Sequence, residues 1–170
     1  MFLGKDVIGR PVISVSDGRT IGRVKDLYLT IDCQSVVGLY LGSEGLFSRT
    51  AYLVKSDDVT VIGPDAVLVK HDQVIHELAD VAEAENWLRR DNLQGREVDT
   101  AGGTKVGKIG DVILDKNGQT LGFSLSHTFV SGPIAENRAI ACHAVQDVGN
   151  EDGAMTVDLK QAEQQQLKVA

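Results

Sequence analysis

Two aspartates occupy matching places in the 170-residue chain. Asp26 stands in Ile21-Gly22-Arg23-Val24-Lys25-Asp26-Leu27, and Asp111 in Val106-Gly107-Lys108-Ile109-Gly110-Asp111-Val112. A carboxylate pair can serve as general acid and base, but only when both groups reach one substrate. Matching positions in two copies of a unit are not neighbours, so the pattern predicts structural carboxylates that accept backbone or turn hydrogen bonds. The run Gly102-Gly103-Thr104-Lys105-Val106-Gly107-Lys108 fits the first part of a phosphate-binding loop. Ile109 then stands where a Mg²⁺-binding Ser or Thr is needed, and a hairpin turn explains the same glycines. His71 and His76 are five apart, which does not place two metal ligands on one helix face. Cys142 and His143 on a strand would point to opposite faces. Ser126 and Ser131 lie near His127 without a nucleophile elbow. The residues predict no catalytic group, no metal ligands and no cofactor site.

The elements that carry these residues come in two copies. Gly9-Arg10-Pro11-Val12 returns as Gly95-Arg96-Glu97-Val98, and the pattern apolar-Gly-[Arg or Lys]-apolar-x-Asp-apolar follows each time. Gly9, Gly22 and Asp26 thus match Gly95, Gly107 and Asp111. The offset falls from 86 at Gly9 and Gly95 to 85 at Gly22 and Gly107 and 84 at Gly38 and Gly122. Turns absorb such slips, because a one-residue slip within a strand would turn its apolar side chains outward. Short β-rich runs separated by glycine turns predict about six strands in the first copy, including Lys25 to Ile31 with Leu27, Leu29 and Ile31 on one buried face. Asp115-Lys116-Asn117-Gly118 carries Asn-Gly, the strongest short hairpin signal. A small closed barrel is favoured, since closure removes exposed sheet edges. Asp72 to Arg90 lacks glycine and proline and places Val74, Leu78, Val81 and Leu88 at near-helical steps, which predicts an amphipathic helix capped by Asp72. Trp87 falls at the margin of that stripe. The expected organisation is a mainly β chain: a first barrel over 1–71, a linker helix over 72–91, a second barrel over 92–159 and a polar C-terminal tail over 160–170 that forms a short helix.

Composition narrows the partners. The net charge of -7 and pI near 5.0 repel nucleic acid and anionic lipid at long range. The only adjacent basic pair is Arg89-Arg90, and eight aromatics are few for a base-stacking surface. No apolar run approaches the roughly 20 residues of a membrane span, and no secretion signal opens the chain. Cys33 and Cys142 lie at non-equivalent places and read as free thiols of a reducing compartment. The expectation is a cytoplasmic protein with no nucleic-acid partner and no direct membrane insertion.

The paired pattern, followed by Asp57-Asp58-Val59 and Ile62-Gly63-Pro64-Asp65-Ala66-Val67, resembles the PRC-barrel family. That family is named for the cytoplasmic barrel of the photosynthetic reaction centre H subunit, and a related barrel ends a ribosome maturation factor. The resemblance covers Gly4 to Val69 closely and Leu93 to Val157 more loosely. Here the module is in tandem and no membrane helix accompanies it, so neither function carries over directly. The resemblance implies a compact module that docks onto other proteins: a non-enzymatic scaffold, with a regulatory module for a small ligand or metal as the alternative. Leu46, Phe47 and Phe129 lie in matching loops as docking hot spots or as plugs for the barrel mouths. Leu78 and Trp87 are the expected contact residues of the linker, where pairing with a second copy would give a homodimer.

Overall fold

The computed structural model describes residues 1–150, 153–164 and 167. In chain order the first strands are β1 (Phe2–Leu3), β2 (Pro11–Ser14), β3 (Thr20–Arg23), β4 (Asp26–Thr30), β5 (Val36–Glu44) and β6 (Thr50–Lys55). Then come β7 (Val59–Ile62), β8 (Val67–Val69), β9 (Ile75–Glu77), β10 (Trp87–Arg89), β11 (Glu97–Thr100) and β12 (Lys105–Leu114). The last are β13 (Thr120–Thr128), β14 (Ala139–Ala141), β15 (Val145–Asp147) and β16 (Met155–Val157), with helices α1 (Pro133–Asn137) and α2 (Leu159–Gln164). The chain is mainly β, and α2 begins the predicted C-terminal tail; the end of that tail lies outside the described residues.

The chain forms two compact units. One holds Lys5–Ile31 and Ser35–Arg89, the body of the first repeat; the other holds Met1–Gly4, Asp32–Gln34 and Arg90–Ala170. The first-repeat unit has a sheet ordered β10-β4-β5-β6-β9 and a second ordered β3-β2-β8-β7. The second-repeat unit has one sheet ordered β14-β13-β12-β11-β16-β15, with β1 also paired to β12. Among the described residues no pairing closes either unit into a continuous ring, so the expected closed barrels are replaced by sheets with free ends.

Each unit performs the same local construction. Val12, Ile13 and Ser14 pair in parallel with Val67, Leu68 and Val69, as Val98, Asp99 and Thr100 pair with Met155, Thr156 and Val157. Gly9 and Gly95 sit at φ of 86° and 78°, in the left-handed region where only glycine is at ease. Their amides donate to Val24 O and Ile109 O, both at 2.8 Å. The next residue is arginine in both copies, and it ties down a distant turn: Arg10 Nη1 donates to Gly63 O at 2.6 Å, and Arg96 Nη1 to Val148 O at 2.7 Å. Leu27, Leu29, Leu39 and Leu53 fill the first core; Ile109, Ile113, Phe123 and Met155 fill the second.

Two expectations about the first unit fail. Residues 72–91 form no α-helix; they make 3-10 turns at Asp72–Val74, Leu78–Asp80, Ala82–Asn86 and Arg90–Leu93 around the short strands β9 and β10. β9 joins the β6 edge through Tyr52↔Glu77, Leu53↔His76 and Val54↔Ile75, and β10 joins β4 through Trp87↔Thr30, Leu88↔Leu29 and Arg89↔Tyr28. Up to Arg89 the segment therefore lies along the sheet edges of the first-repeat unit. β4 also lacks a wet face: Asp26, Leu27, Tyr28 and Leu29 are all buried, whereas Ile31, predicted inside, is exposed. Tyr28 is covered by Trp87, their rings 5.8 Å apart, and it anchors a cluster with Leu53, Val81 and Leu78.

Candidate functional site

The matched aspartates are buried and ion-paired by consecutive arginines. In the first-repeat unit Arg89 Nε donates to Asp26 Oδ2 at 2.7 Å, and its guanidinium lies 4.1 Å from the centre of the Tyr40 ring. Desolvation is the largest influence on Arg89 and lowers its pKa, but the bond and charge of Asp26 outweigh it and the net shift is upward. In the second-repeat unit Arg90 Nε donates to Asp111 Oδ1 at 2.6 Å, which also accepts from the Val112 amide at 2.8 Å. Gly4 makes room for Arg90, since a Cβ there would lie 2.8 Å from its Cδ and 2.7 Å from Val112 Cγ2. Breaking such a guanidinium–carboxylate pair from one side leaves a buried charge uncompensated, so both pairs constrain the fold around them.

One concave surface lies in the first-repeat unit, and smaller ones lie in the second beside Arg96 and beside Thr100. A groove of about 460 Å³ runs beside β6 and β9, with Tyr28, Leu78, Val81 and Ala84 among its apolar lining and Arg49, Glu77 and Glu85 among its charged lining. Burial pushes the Tyr28 hydroxyl pKa up, as an apolar wall does to a group that would ionise. The loop between β5 and β6 leads directly into this wall through Arg49 and Thr50. Gly45 turns the loop at φ 123°, where a Cβ would strike the Ser48 carbonyl oxygen, so the tip is fixed by a residue that only glycine can supply. At that tip Leu46 and Phe47 are 97% and 103% exposed; they do not fold back as plugs. Leu78 is half-buried at the groove, and Trp87 packs against Tyr28 rather than standing in a helix stripe.

The corresponding loop of the second-repeat unit behaves differently. Phe129 is exposed, but α1 follows and buries Ile134. After β16 the chain forms α2, with Ala162 buried, where after β8 it runs into β9. Gly102 to Lys108 is the β11–β12 hairpin, closed by the Thr100 amide on Thr104 O at 2.9 Å. Cys33 and Cys142 are free thiols. Burial pushes Cys33 up to about 12 and Cys142 up to about 11, which leaves little thiolate at neutral pH. Among the described residues no group of three or more His, Cys, Asp or Glu side chains is gathered as a metal site, and no helix is long and apolar enough to cross a membrane.

Sequence reasoning named Leu46, Phe47, Leu78 and Trp87 but missed the groove. Its lining comes from β4, the β5–β6 loop and the 3-10 turns after β9, and no local pattern connects them. No curated protein matches the chain. The family model of the PRC-barrel domain matches residues 1–74 and again 85–164, in step with the two-copy construction of turns, arginines and parallel strand pairs, and the chain belongs to the PRC-barrel family as a tandem of two copies.

Proposed function

We propose that this chain is a non-enzymatic protein-interaction module whose docking surface is the groove and the Leu46–Phe47 tip of the first-repeat unit. The observation that carries this reading is the pair of fully exposed apolar side chains set beside a partly apolar groove. Exposed aromatic and aliphatic anchors next to a pocket are the usual core of a protein contact. Glu77 and Glu85 edge the groove, and the net charge of -7 draws cations from a distance. The fitting partner is therefore a segment of another protein with apolar side chains flanked by Lys or Arg. Two free thiols, Cys33 buried and Cys142 half-buried, suit a reducing compartment, so the reading places the module in the cytoplasm.

The groove volume also lies in the range of small-ligand pockets, roughly 300 to 1,000 Å³, which sustains a ligand-regulated module as the second reading. Fluorescence anisotropy with labelled apolar peptides separates the two. Peptides with basic flanks should bind saturably and those with acidic flanks should not. The Leu46→Ser, Phe47→Ser double variant should weaken binding without changing the melting temperature. Indifference to the flanking charge, or binding unchanged in the variant, would overturn the docking reading. Stabilisation by an apolar small molecule without peptide binding would favour the second.

A further inference from the structure

The units and the repeats do not have the same boundaries. Aligned on Gly9 and Gly95, the residues leading into the first repeat, Met1 to Ile8, match Trp87 to Gln94. The 3-10 turns at Gly4–Val7 and Arg90–Leu93 coincide in this alignment, and so do β1 and β10. Yet β1, which leads into the first repeat, pairs with β12 of the second through Phe2↔Leu114 and Leu3↔Ile113. β10, which leads into the second repeat, pairs with β4 of the first through Leu88↔Leu29 and Arg89↔Tyr28. Leu29 and Leu114 are themselves repeat-equivalent, so both leading strands dock at the same register position, each on the other repeat's sheet.

A third segment follows the same rule. Asp32–Gln34, the β4–β5 turn of the first repeat, belongs to the second-repeat unit. There the Thr120 amide donates to Gln34 O at 2.9 Å, and Cys33 is fully buried at φ 58°. A non-glycine residue stays in the left-handed region only where its surroundings hold it. The chain thus passes from one unit to the other at Gly4, Ile31, Gln34 and Arg89.

From this we infer that β4 and the Ile113–Leu114 end of β12, beyond the stretch of β12 that pairs with β11, are strand-acceptor edges, each built to take the leading strand of the opposite repeat, so that the halves on either side of the Glu85–Asn86 bond are obligate binding partners. The covalent link between the halves is dispensable once they are folded. The acceptor edges recognise a repeat and not a tether, so a second copy of this chain supplies a half as well as the same copy does. Backbone pairing gives the attachment, and the side chains of Phe2, Leu3, Trp87 and Leu88 set its register.

The test uses the full chain with a site-specific protease sequence inserted between the exposed residues Glu85 and Asn86, folded first and cut afterwards. Residues 1–85 and 86–170 should co-elute from size exclusion at micromolar concentration and part only in denaturant. Separation on cutting would overturn the inference. A Phe2→Gly, Leu3→Gly variant removes the β1 side chains without adding a charge or a proline, and after cutting its halves should bind about ten- to a hundredfold more weakly. Should that variant fail to fold uncut, Leu3→Ala alone, with about tenfold weakening, serves instead. Unchanged affinity in the folded variant would show that other surfaces join the halves, and the exchange would be rejected. Finally, a cut protein tagged on its first half, unfolded and refolded with an untagged cut protein, should yield mixed pairs; recovery of unmixed pairs alone would refute supply by a second copy.

Discussion

Replacing Arg90 with methionine isolates the buried ion pair of the second-repeat unit. Both partners are almost fully enclosed, with side-chain exposures of 6% for Arg90 and 4% for Asp111, so the change leaves the carboxylate in a site that water barely reaches and deprives it of its guanidinium. Breaking a buried pair from one side costs about 3–5 kcal/mol. The matching change at Arg89 should cost less. Asp26 is as buried at 2%, but Arg89 is 34% exposed, so water replaces part of what the guanidinium gave, and a loss of about 1.5–3 kcal/mol is expected for a hydrogen bond to a charge. Its contact with Tyr40 adds about 0.5–1 kcal/mol. The double change Arg90→Met with Asp111→Leu removes charge from both sides and should recover most of the stability, because apolar replacements of a buried pair are commonly neutral. Urea titration followed by circular dichroism measures the wild type, Arg90→Met, Asp111→Leu and the double change, and the cycle gives the coupling energy. A loss below about 1 kcal/mol for Arg90→Met, the worth of an exposed pair, would refute the assignment of Arg90 and Asp111 as a structural fastener.

The remaining expectations are quickly measured. Both thiols have folded pKa values above the ordinary 9.0, about 12 and about 11, so the folded state holds protons that the unfolded state releases above pH 9. Stability should be independent of these groups below pH 9 and fall between pH 9 and 12, and neither thiol should react with a disulfide reagent at pH 8 until the chain is unfolded. A Cβ at Gly9 or Gly95 meets nothing within 4 Å, so Gly9→Ala and Gly95→Ala should each cost only the backbone strain of about 1–2 kcal/mol, equally in the two copies by thermal melting. Leu78→Asp puts a charge against Tyr28, Leu53 and Val81 and should destabilise the first-repeat unit by about 2–4 kcal/mol, seen as an earlier transition in the fluorescence of Trp87, the sole tryptophan.

The two-copy plan was legible because each marked residue has a job that only its type performs. Gly9 and Gly95 take positive φ, Arg10 and Arg96 reach carbonyls some fifty residues away, and Asp26 and Asp111 receive arginines. The segment 72–91 was misread for an equally physical reason. Its strands are three residues long, too short to show a period of two, while Leu78, Val81 and Ala84 recur every third residue along successive 3-10 turns. Three residues per turn is the 3-10 repeat, and over one or two turns it is indistinguishable from helical spacing. Of the residues expected to need cover, Val74, Leu78, Val81 and Leu88, all but the half-buried Leu78 are buried, in a segment that β9 and β10 join to β6 and β4, a long-range event with no local signature. The exchange of leading strands was invisible for the same cause: β1 and β10 are sequence equivalents, and nothing in either says which sheet it joins.

A duplicated scaffold sorts structure from task. Where the copies agree, the shared residues close turns, pair charges and set strand register, and these account for themselves without a ligand. Where they part, the divergence is lopsided. The β13–β14 loop bends into α1 and buries Ile134 while Phe129 stays half-exposed, whereas the β5–β6 loop holds both Leu46 and Phe47 fully in solvent. After β16 the chain buries Ala162 in α2, whereas after β8 it runs into β9 and the 3-10 turns that line the groove. The docking reading therefore demands one partner segment per chain despite two family domains. Titration of a binding peptide by calorimetry should saturate at one per chain and lose its heat with the Leu46→Ser, Phe47→Ser change. Saturation at two would mean that the shared residues bind, and the groove of the first-repeat unit would lose its claim to be the site.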